Sequence, residues 1–290
     1  MCEVTSFNEF KTLVKLPMIG AIIIGCEGLS LDVPALTMGE IVKATQLAKR
    51  HNVKIIVNAE KLFHEDDMLK ITMLLAELPL KNLDYFTYSD LGFYQIMIEK
   101  GYSKKLIYRA PTYLTNSSDV AIYSKLNAYV TVSNQITADE LLTIINNVSV
   151  PVIVDAFGVA NCFYSKRPLI GNYFKYKNIN GHYLGKVGTL IEETRTSEYR
   201  IIEDGNGTRI YTDAFYYLAE EIAKQDKIAY AIIHHQFLKN SQYLKVVNEF
   251  IDFITKEKLN LEVLSSLKIL LSKGAYEQKT VLLKGGSTHD

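Results

Sequence analysis

The chain has 290 residues, 48% apolar and 22% charged, and its 32 basic and 32 acidic side chains balance to zero net charge. This is a soluble globular composition, long enough for one large α/β domain or two small ones. The balance excludes a protein that grips nucleic acid alone through a broad basic face, because such affinity comes mostly from neutralised phosphates. Cys2, Cys26 and Cys162 are far apart and form no CxxC pair, so neither a disulfide framework nor a zinc site is expected, and a reducing compartment fits. Glu3 and Glu9 break any signal-peptide pattern, and the longest apolar run, residues 18–26, is too short to span a membrane. The expectation is a cytoplasmic protein without membrane contact.

Residues 18–25 read as a buried strand ending at Cys26, Glu27 and Gly28. Thr37 and Glu40 form a capping box for the helix that follows. Residues 53–57 are a second strand ending at Asn58, and the acids of residues 64–67 open a helix that Pro79 stops. A third strand, 83–88, leads to Ser89 and Asp90 and to a helix closed by Gly101. The alternation continues with a strand at 106–108 ending at Arg109 and a helix at 116–126. A strand at 128–132 then ends at Ser133 and Asn134, a helix spans 137–147, and a strand at 152–154 ends at Asp155. Six such units predict a parallel sheet, and the lack of a glycine-rich phosphate loop favours a barrel over a doubly wound sheet. The predicted fold is therefore α/β, a TIM-barrel-like (β/α) barrel, complete or else incomplete or irregular, with a β-hairpin insertion after the sixth strand.

Residues 151–178 are the distinctive stretch. Regularity is expected to lapse after Asp155 for about thirty residues. Between Ala156 and Ile191 there is no Asp or Glu, while Lys166, Arg167, Lys175, Lys177 and Lys186 alternate with Tyr164, Tyr173, Phe174, Tyr176 and Tyr183. Such a segment offers anion contacts and ring faces. Beyond it, residues 185–193 and 198–211 read as two or three antiparallel strands with turns at 195–197 and 204–207. Residues 213–224 are expected to be helical, 228–233 a late barrel strand, 241–256 a long helix, 259–271 a further helix and the final six residues frayed. The whole is read as one domain: units to residue 155, the basic aromatic loop and hairpin at 156–212, and the closing strand and helices at 213–290.

Barrel enzymes work at the C-terminal ends of their strands. Here those ends carry Glu27, Asn58, Ser89, Asp90, Arg109, Ser133, Asn134, Asp155, His234 and His235, a ring suited to a polar small molecule, with Arg109 and the central loop supplying positive charge. Asn58 and Asp90 also suit helix capping, and Asp155 suits a salt bridge. His234 and His235 point to opposite faces of one strand and cannot share a metal, so core or surface histidines are the simpler reading. No GxSxG elbow is present. Cys162 with downstream His182 is the one thiol-nucleophile pairing the chain offers.

The order of features resembles the U32 peptidase family, the collagenase-like proteins whose members include components of tRNA wobble-uridine hydroxylation. The resemblance rests on an early GxxxxG turn followed by Leu29-Ser30-Leu31, on Asn58, on His64 to Asp67 and on Ser89-Asp90-x-Gly92. It is strongest over Tyr164-Ser165-Lys166-Arg167-Pro168-Leu169 with Asn172-Tyr173, and it continues through Glu203-Asp204, Gly207-Thr208 and Lys279-Thr280-Val281. Iron–sulfur members carry cysteines where this chain has Asn161, Pro168 and Tyr183, so the resemblance implies the short, cluster-free branch, with no bound cofactor. His-Gly and Arg-Glu of many members are replaced by Phe157-Gly158 and Asn134-Gln135. The resemblance implies a subunit for prephenate-dependent tRNA uridine 5-hydroxylation, with prephenate as co-substrate, tRNA as target and a longer U32 paralogue as partner in a homo- or hetero-oligomer. The alternatives are a U32 peptidase, a hydrolase of the collagenase-like kind, and a non-catalytic barrel that serves as a binding partner. Ligand contact is expected from Ser165 and Arg167, then Asn172 and Tyr173, then Asp155 and Arg109, with Lys166 beside them.

Overall fold

The computed structural model describes residues 1–110, 113–193, 198–223, 225–256 and 260–277. Short apolar runs become strands and capped amphipathic runs become helices, in the order β1 (Cys2–Glu3), α1 (Phe7–Leu13), β2 (Ala21–Cys26), β3 (Ala35–Leu36), α2 (Met38–His51), β4 (Lys54–Ala59), α3 (Met68–Glu77), β5 (Tyr85–Tyr88), α4 (Leu91–Glu99), β6 (Leu106–Tyr108), α5 (Ser117–Leu126), β7 (Tyr129–Val130), α6 (Ala138–Asn147) and β8 (Val152–Gly158). The capping boxes of Thr37 with Glu40 and Thr137 with Glu140 are both formed, which is why α2 and α6 start where the sequence says. The chain continues with β9 (Asn161–Ser165), α7 (Leu169–Lys177), β10 (Val187–Ile191), β11 (Glu198–Asp204), β12 (Gly207–Thr212), β13 (Tyr216–Tyr217), α8 (Ala219–Ile222), β14 (Ile228–Ile233), α9 (Asn240–Lys256) and α10 (Leu261–Ser265).

The main sheet runs β13-β8-β14-β1-β2-β4-β5-β6-β7, with β3 pairing β2. Every neighbour is parallel except β13 against β8. The sheet curls until β7 approaches β8, where Thr131 and Ile153 form a parallel bridge and the Val132 N–H donates to Ile153 O at 3.0 Å. The architecture is thus barrel-like, with a narrow seam. Strand alternation sorts the core into two parts. Ile22, Ile24, Ile55 and Val57 face the helices, whereas Met1, Ala21, Ile23, Ile56, Ile107, Ile153 and Ile232 fill the inside of the curl.

Four expectations need correction. The segment after Asp155 is not irregular: β8 continues to Gly158, and β9 and α7 follow. The insertion is more than a hairpin, because β9 joins β10, β11 and β12 in a four-stranded antiparallel sheet ordered β10-β11-β12-β9. Its strands lie far apart in sequence, a pairing that local pattern does not announce. Residues 213–224 are mostly not helical: β13 occupies part of the span and only Ala219–Ile222 is α-helix. Of 259–271, only Leu261–Ser265 is. The turn expected at 195–197, Lys279-Thr280-Val281 and the terminal six residues lie outside the described residues.

The insertion is built from the very motif that carries the family resemblance. The Glu203 carboxylate, fully buried, accepts the N–H groups of Ile170 at 2.7 Å and Gly171 at 3.1 Å, capping α7. Thr208 Oγ1 accepts the Leu169 N–H at 3.0 Å and stands 2.6 Å from Glu203 and 2.9 Å from Arg167 O. Gly207 has φ +107° and lies so close to β9 that a Cβ there would stand 2.1 Å from Ser165 O, which only glycine permits. Asn178, in the left-handed region at φ 53°, ends α7. Arg209, 1% exposed, then clamps the insertion to the barrel: Nε donates to Asp32 at 2.8 Å, and Nη1 and Nη2 donate to Asp204 at 3.0 and 2.7 Å. The Tyr211 hydroxyl donates to the other Asp32 oxygen.

Candidate functional site

Two residues beyond five of these seven inward apolar side chains, at the C-terminal end of the same strand, the interior turns polar. Met1 is followed by Glu3, Ile56 by Asn58, Ile107 by Arg109, Ile153 by Asp155 and Ile232 by His234. A period of two keeps each pair on one face, so these side chains converge inside the curl. Glu60, one stride past Asn58, joins them.

Their contacts form one network. His234 sits between two carboxylates, with Nδ1 2.7 Å from Glu3 Oε1 and Nε2 2.9 Å from Asp155 Oδ1. Both ring nitrogens donate when the ring is an imidazolium. Burial alone would lower its pKa, but Glu3 and Asp155 outweigh that and raise it to about 10. Arg109 donates from Nη1 to Glu60 and from Nη2 to both Asp155 oxygens at 3.2 Å. Asn134 Nδ2 donates to Asp155 Oδ2 at 2.8 Å, and the His235 N–H donates to Glu3 Oε2 at 2.9 Å. Burial would push the Asp155 carboxyl up, yet Arg109 and His234 hold it well below its usual range. Glu3 is likewise lowered, chiefly because His234 overcomes its burial. At Glu60 the balance tips the other way: burial raises its pKa and Arg109 offsets only part.

Three carboxyls therefore meet two cations, and the local charge is not the positive field expected around Arg109. His234, already protonated, is a hydrogen-bond donor and not a general base at neutral pH. Glu60 is the floor group whose environment favours holding a proton. Arg109 Nε has no hydrogen-bond partner among the described residues.

A cavity of about 640 Å³ opens above this floor, within the size range of small-molecule sites. Glu3, Asn58, Glu60, Arg109, Asn134 and His234 face it from the strand ends and the loops that follow them; Tyr108, Tyr113 and Tyr123 give it an aromatic side; and Phe163 and Tyr164 of β9 form the opposing wall. Tyr164 OH also accepts the Leu62 N–H at 3.4 Å, tying that wall to the loop after β4.

The expected contact residues fall in two places. Arg109 and Asp155 meet in the floor, bonded to each other. Ser165 ends β9, Lys166 and Arg167 follow it, and Asn172 and Tyr173 lie on α7; none of these five lines the cavity. Ser165 Oγ accepts the Arg167 N–H at 3.2 Å, and Arg167, Asn172 and Tyr173 are exposed. Other strand-end residues hold loops: Asn58 Oδ1 accepts the Leu31 N–H at 2.9 Å, Asp90 caps α4, and Glu27 is exposed. His234 and His235 do diverge, His235 pairing with Glu9 at 3.1 Å and lying against Tyr243.

Cys162 lines the cavity, but burial raises its pKa, the opposite of an activated thiol. Cys2 and Cys26 are buried on β1 and β2, the latter pushed up to about 12. Thiols so dispersed do not fit the four-thiolate ligation of a cluster, and among the described residues no group of His, Cys, Asp and Glu has the geometry to hold a metal ion. No described helix is long and apolar enough to cross a membrane.

Residues 6–254 match the model of peptidase family U32. A stretch of 176 residues, 59% of the chain, is 27% identical to tRNA hydroxylation protein P2 of Bacillus subtilis (strain 168) and spans 57% of that protein. Among solved structures, the U32 peptidase Mk0906 superposes with a TM-score of 0.50 over 80% of this chain and 90% of its own, at 12% identity.

Proposed function

The chain belongs to peptidase family U32, and from that premise we propose that it serves tRNA modification, as a subunit for prephenate-dependent 5-hydroxylation of a tRNA uridine acting with a longer paralogue. The observation that carries this reading is the likeness to a protein named for tRNA hydroxylation. That match spans little more than half of the relative, so the activity as a whole is carried over as a proposal.

The geometry supports it in three ways. Arg109 lines the cavity floor, and its guanidinium, paired with Glu60 and Asp155, is the cation that a small anion entering the cavity would approach. A proton on Glu60 would bring the floor to neutrality and admit such an anion. Outside the cavity, the exposed Arg167, Lys175, Tyr173 and Tyr176 offer phosphate contacts and stacking faces to unpaired bases. In this reading the fold is an irregular TIM-type barrel, and any iron–sulfur cluster belongs to the partner. Peptide cleavage, which the family name suggests, gains little from a thiol whose pKa is raised and a histidine held as imidazolium. The paired charges of the floor favour instead, as a second reading, a non-catalytic barrel that binds the ligand for its partner.

Nucleoside mass spectrometry on total tRNA from a strain lacking this gene, with the paralogue intact, tests the proposal. Loss of 5-hydroxyuridine derivatives, restored by the wild-type gene, is expected. Unchanged tRNA, in this strain and in one lacking both genes, contradicts it.

A further inference from the structure

The mouth of the cavity differs from its floor. Tyr113, in the loop after β6, is 64% exposed, and Phe163, on the opposing wall, is 40% exposed, so both rings stand at the mouth, open to solvent. Leu62 and Leu91 add an apolar rim. The Tyr113 side already holds one ring stack, Tyr108 on Tyr123, with centroids 4.1 Å apart and planes 7° from parallel. A charged floor under an aromatic mouth suits a flat ring better than a second small ion.

Two half-buried lysines flank this mouth. Lys61 precedes Leu62, whose N–H donates to the Tyr164 hydroxyl at 3.4 Å, and Lys166 lies two residues beyond Tyr164, so one hydrogen bond brings the two segments together. Both sit on held backbone: the Lys61 N–H donates to Leu29 O at 3.3 Å, and Lys166 packs against Gly207. The carboxylates that feel them are engaged elsewhere. Asp67 accepts the His64 N–H at 3.0 Å and lies 3.8 Å from Lys70, and Asp204 holds Arg209 at 2.7 Å. Burial and then Lys61 lower the pKa of Lys166, and Asp67 offsets only part. Two like charges held together in this way favour an anion between them. The exposed Arg167 and Lys175 continue the positive surface along the insertion, a track that a polyanion can follow.

We propose that this mouth is a subsite for one nucleotide of a single-stranded RNA: Lys61 and Lys166 hold its phosphate, and its base enters the cavity against Tyr113, over the charged floor. The inference rests on the reading of this chain as a tRNA-modification subunit and adds how a target base reaches the floor. Stacking on an aromatic face tolerates any base, and a base paired inside a duplex cannot enter, so the subsite selects an unpaired strand and not a sequence.

Fluorescence anisotropy of a labelled oligouridylate RNA with the full chain tests it. Binding is expected with a Kd of about 1–100 µM, and a duplex of the same length or uridine monophosphate should compete poorly. Removing both lysines, Lys61→Ala with Lys166→Ala, should weaken binding about fivefold at roughly 0.1 M salt and lower the slope of log K against log salt by about 0.7, one phosphate's share for a single strand. Tyr113→Ala should weaken it about fivefold or more and leave that slope unchanged. Lys245→Ala, which removes the same charge from the exposed face of α9, should change neither. Circular dichroism checks that each variant folds. A chain that does not bind in that range, equal competition by duplex or monophosphate, a slope indifferent to the lysines, or Tyr113→Ala without effect would overturn the proposal. Nucleoside mass spectrometry separates it from the reading beneath it. If deletion of the gene removes 5-hydroxyuridine derivatives and the double lysine variant restores them fully, the subsite fails and the tRNA reading stands. If tRNA is unchanged even without both genes while the RNA binds as expected, the tRNA reading fails and the subsite stands.

Discussion

Arg209→Ala removes the clamp that seats the insertion on the barrel, and its cost follows from the contacts. The guanidinium is 1% exposed and bonds Asp32 at 2.8 Å and Asp204 at 3.0 and 2.7 Å. Breaking a buried pair by deleting one partner costs about 3–5 kcal/mol, mostly because the remaining charge is stranded. Asp204 is partly exposed and rehydrates, and burial already raises the pKa of Asp32, so Asp32 escapes by taking a proton. The expected loss is therefore about 3 kcal/mol, at the low end. In a chain of this length that corresponds to a fall in Tm of roughly 6 °C. Urea and thermal unfolding measure the loss, and hydrogen exchange locates it: β9 and β12 should lose protection before β2 and β4 do. Asp32→Asn combined with Arg209→Ala should cost less than the sum of the two single changes, because the stranded carboxylate is gone. A loss below about 1 kcal/mol, or equal acceleration in barrel and insertion, would refute the view of Arg209 as a buried anchor.

Four further outcomes are expected. His234 gains its proton affinity on folding, so its stabilisation is complete below its ordinary pKa of 6.5 and lost as pH rises from there to about 10; Asp155, held low, adds stability above 3.8 that is lost on acidification. A ¹⁵N spectrum of His234 showing a neutral ring at pH 7.5, within this chemistry's imidazolium range, would contradict the first half. Gly207→Ala forces a Cβ onto Ser165 O at positive φ and should destabilise the chain by about 2–4 kcal/mol, with β9 released in hydrogen exchange. Arg167→Ala should leave unfolding unchanged within about 0.5 kcal/mol, because its hydrogen bonds among the described residues are made by its backbone, yet weaken binding of single-stranded RNA; tighter or equal binding would remove Arg167 from the interface. Cys162, the exposed one of the three, should alkylate before Cys2 and Cys26 and faster as pH rises, with Cys162→Ser keeping function; rapid reaction at neutral pH would reopen the thiol mechanism.

Much of the barrel was legible in the sequence because its signals are local. Thr37 with Glu40, Pro79 and Gly101 mark helix ends by their own chemistry, and the strands between them are continuous apolar runs. β1 was not legible: two residues at the very start of the chain carry no period, and yet they set Glu3 in the floor. Glu3 could have been found by counting two residues on from Met1, and Glu60 by counting two such strides from Ile56, a count that needs the strand's inward face to be known first. The central segment misled for the same reason. Its charge and aromatic content were read correctly, but β9 pairs with β12 across more than forty residues, and α7 is capped by Glu203 from a distant strand. Ser165, Gly207 and Thr208, conspicuous as a motif, turn out to interlock the insertion, and Glu203, the acid that caps α7, comes from outside the acid-free stretch.

The central claim is that the cavity floor, with Arg109 as its lining cation, is where this chain contributes to tRNA hydroxylation. The most direct test is complementation of the deletion strain with Arg109→Gln, an uncharged side chain of similar reach, after confirming that the protein accumulates in folded form. Wild type should restore 5-hydroxyuridine derivatives in the tRNA and Arg109→Gln should leave them absent. Full restoration by Arg109→Gln would contradict the account.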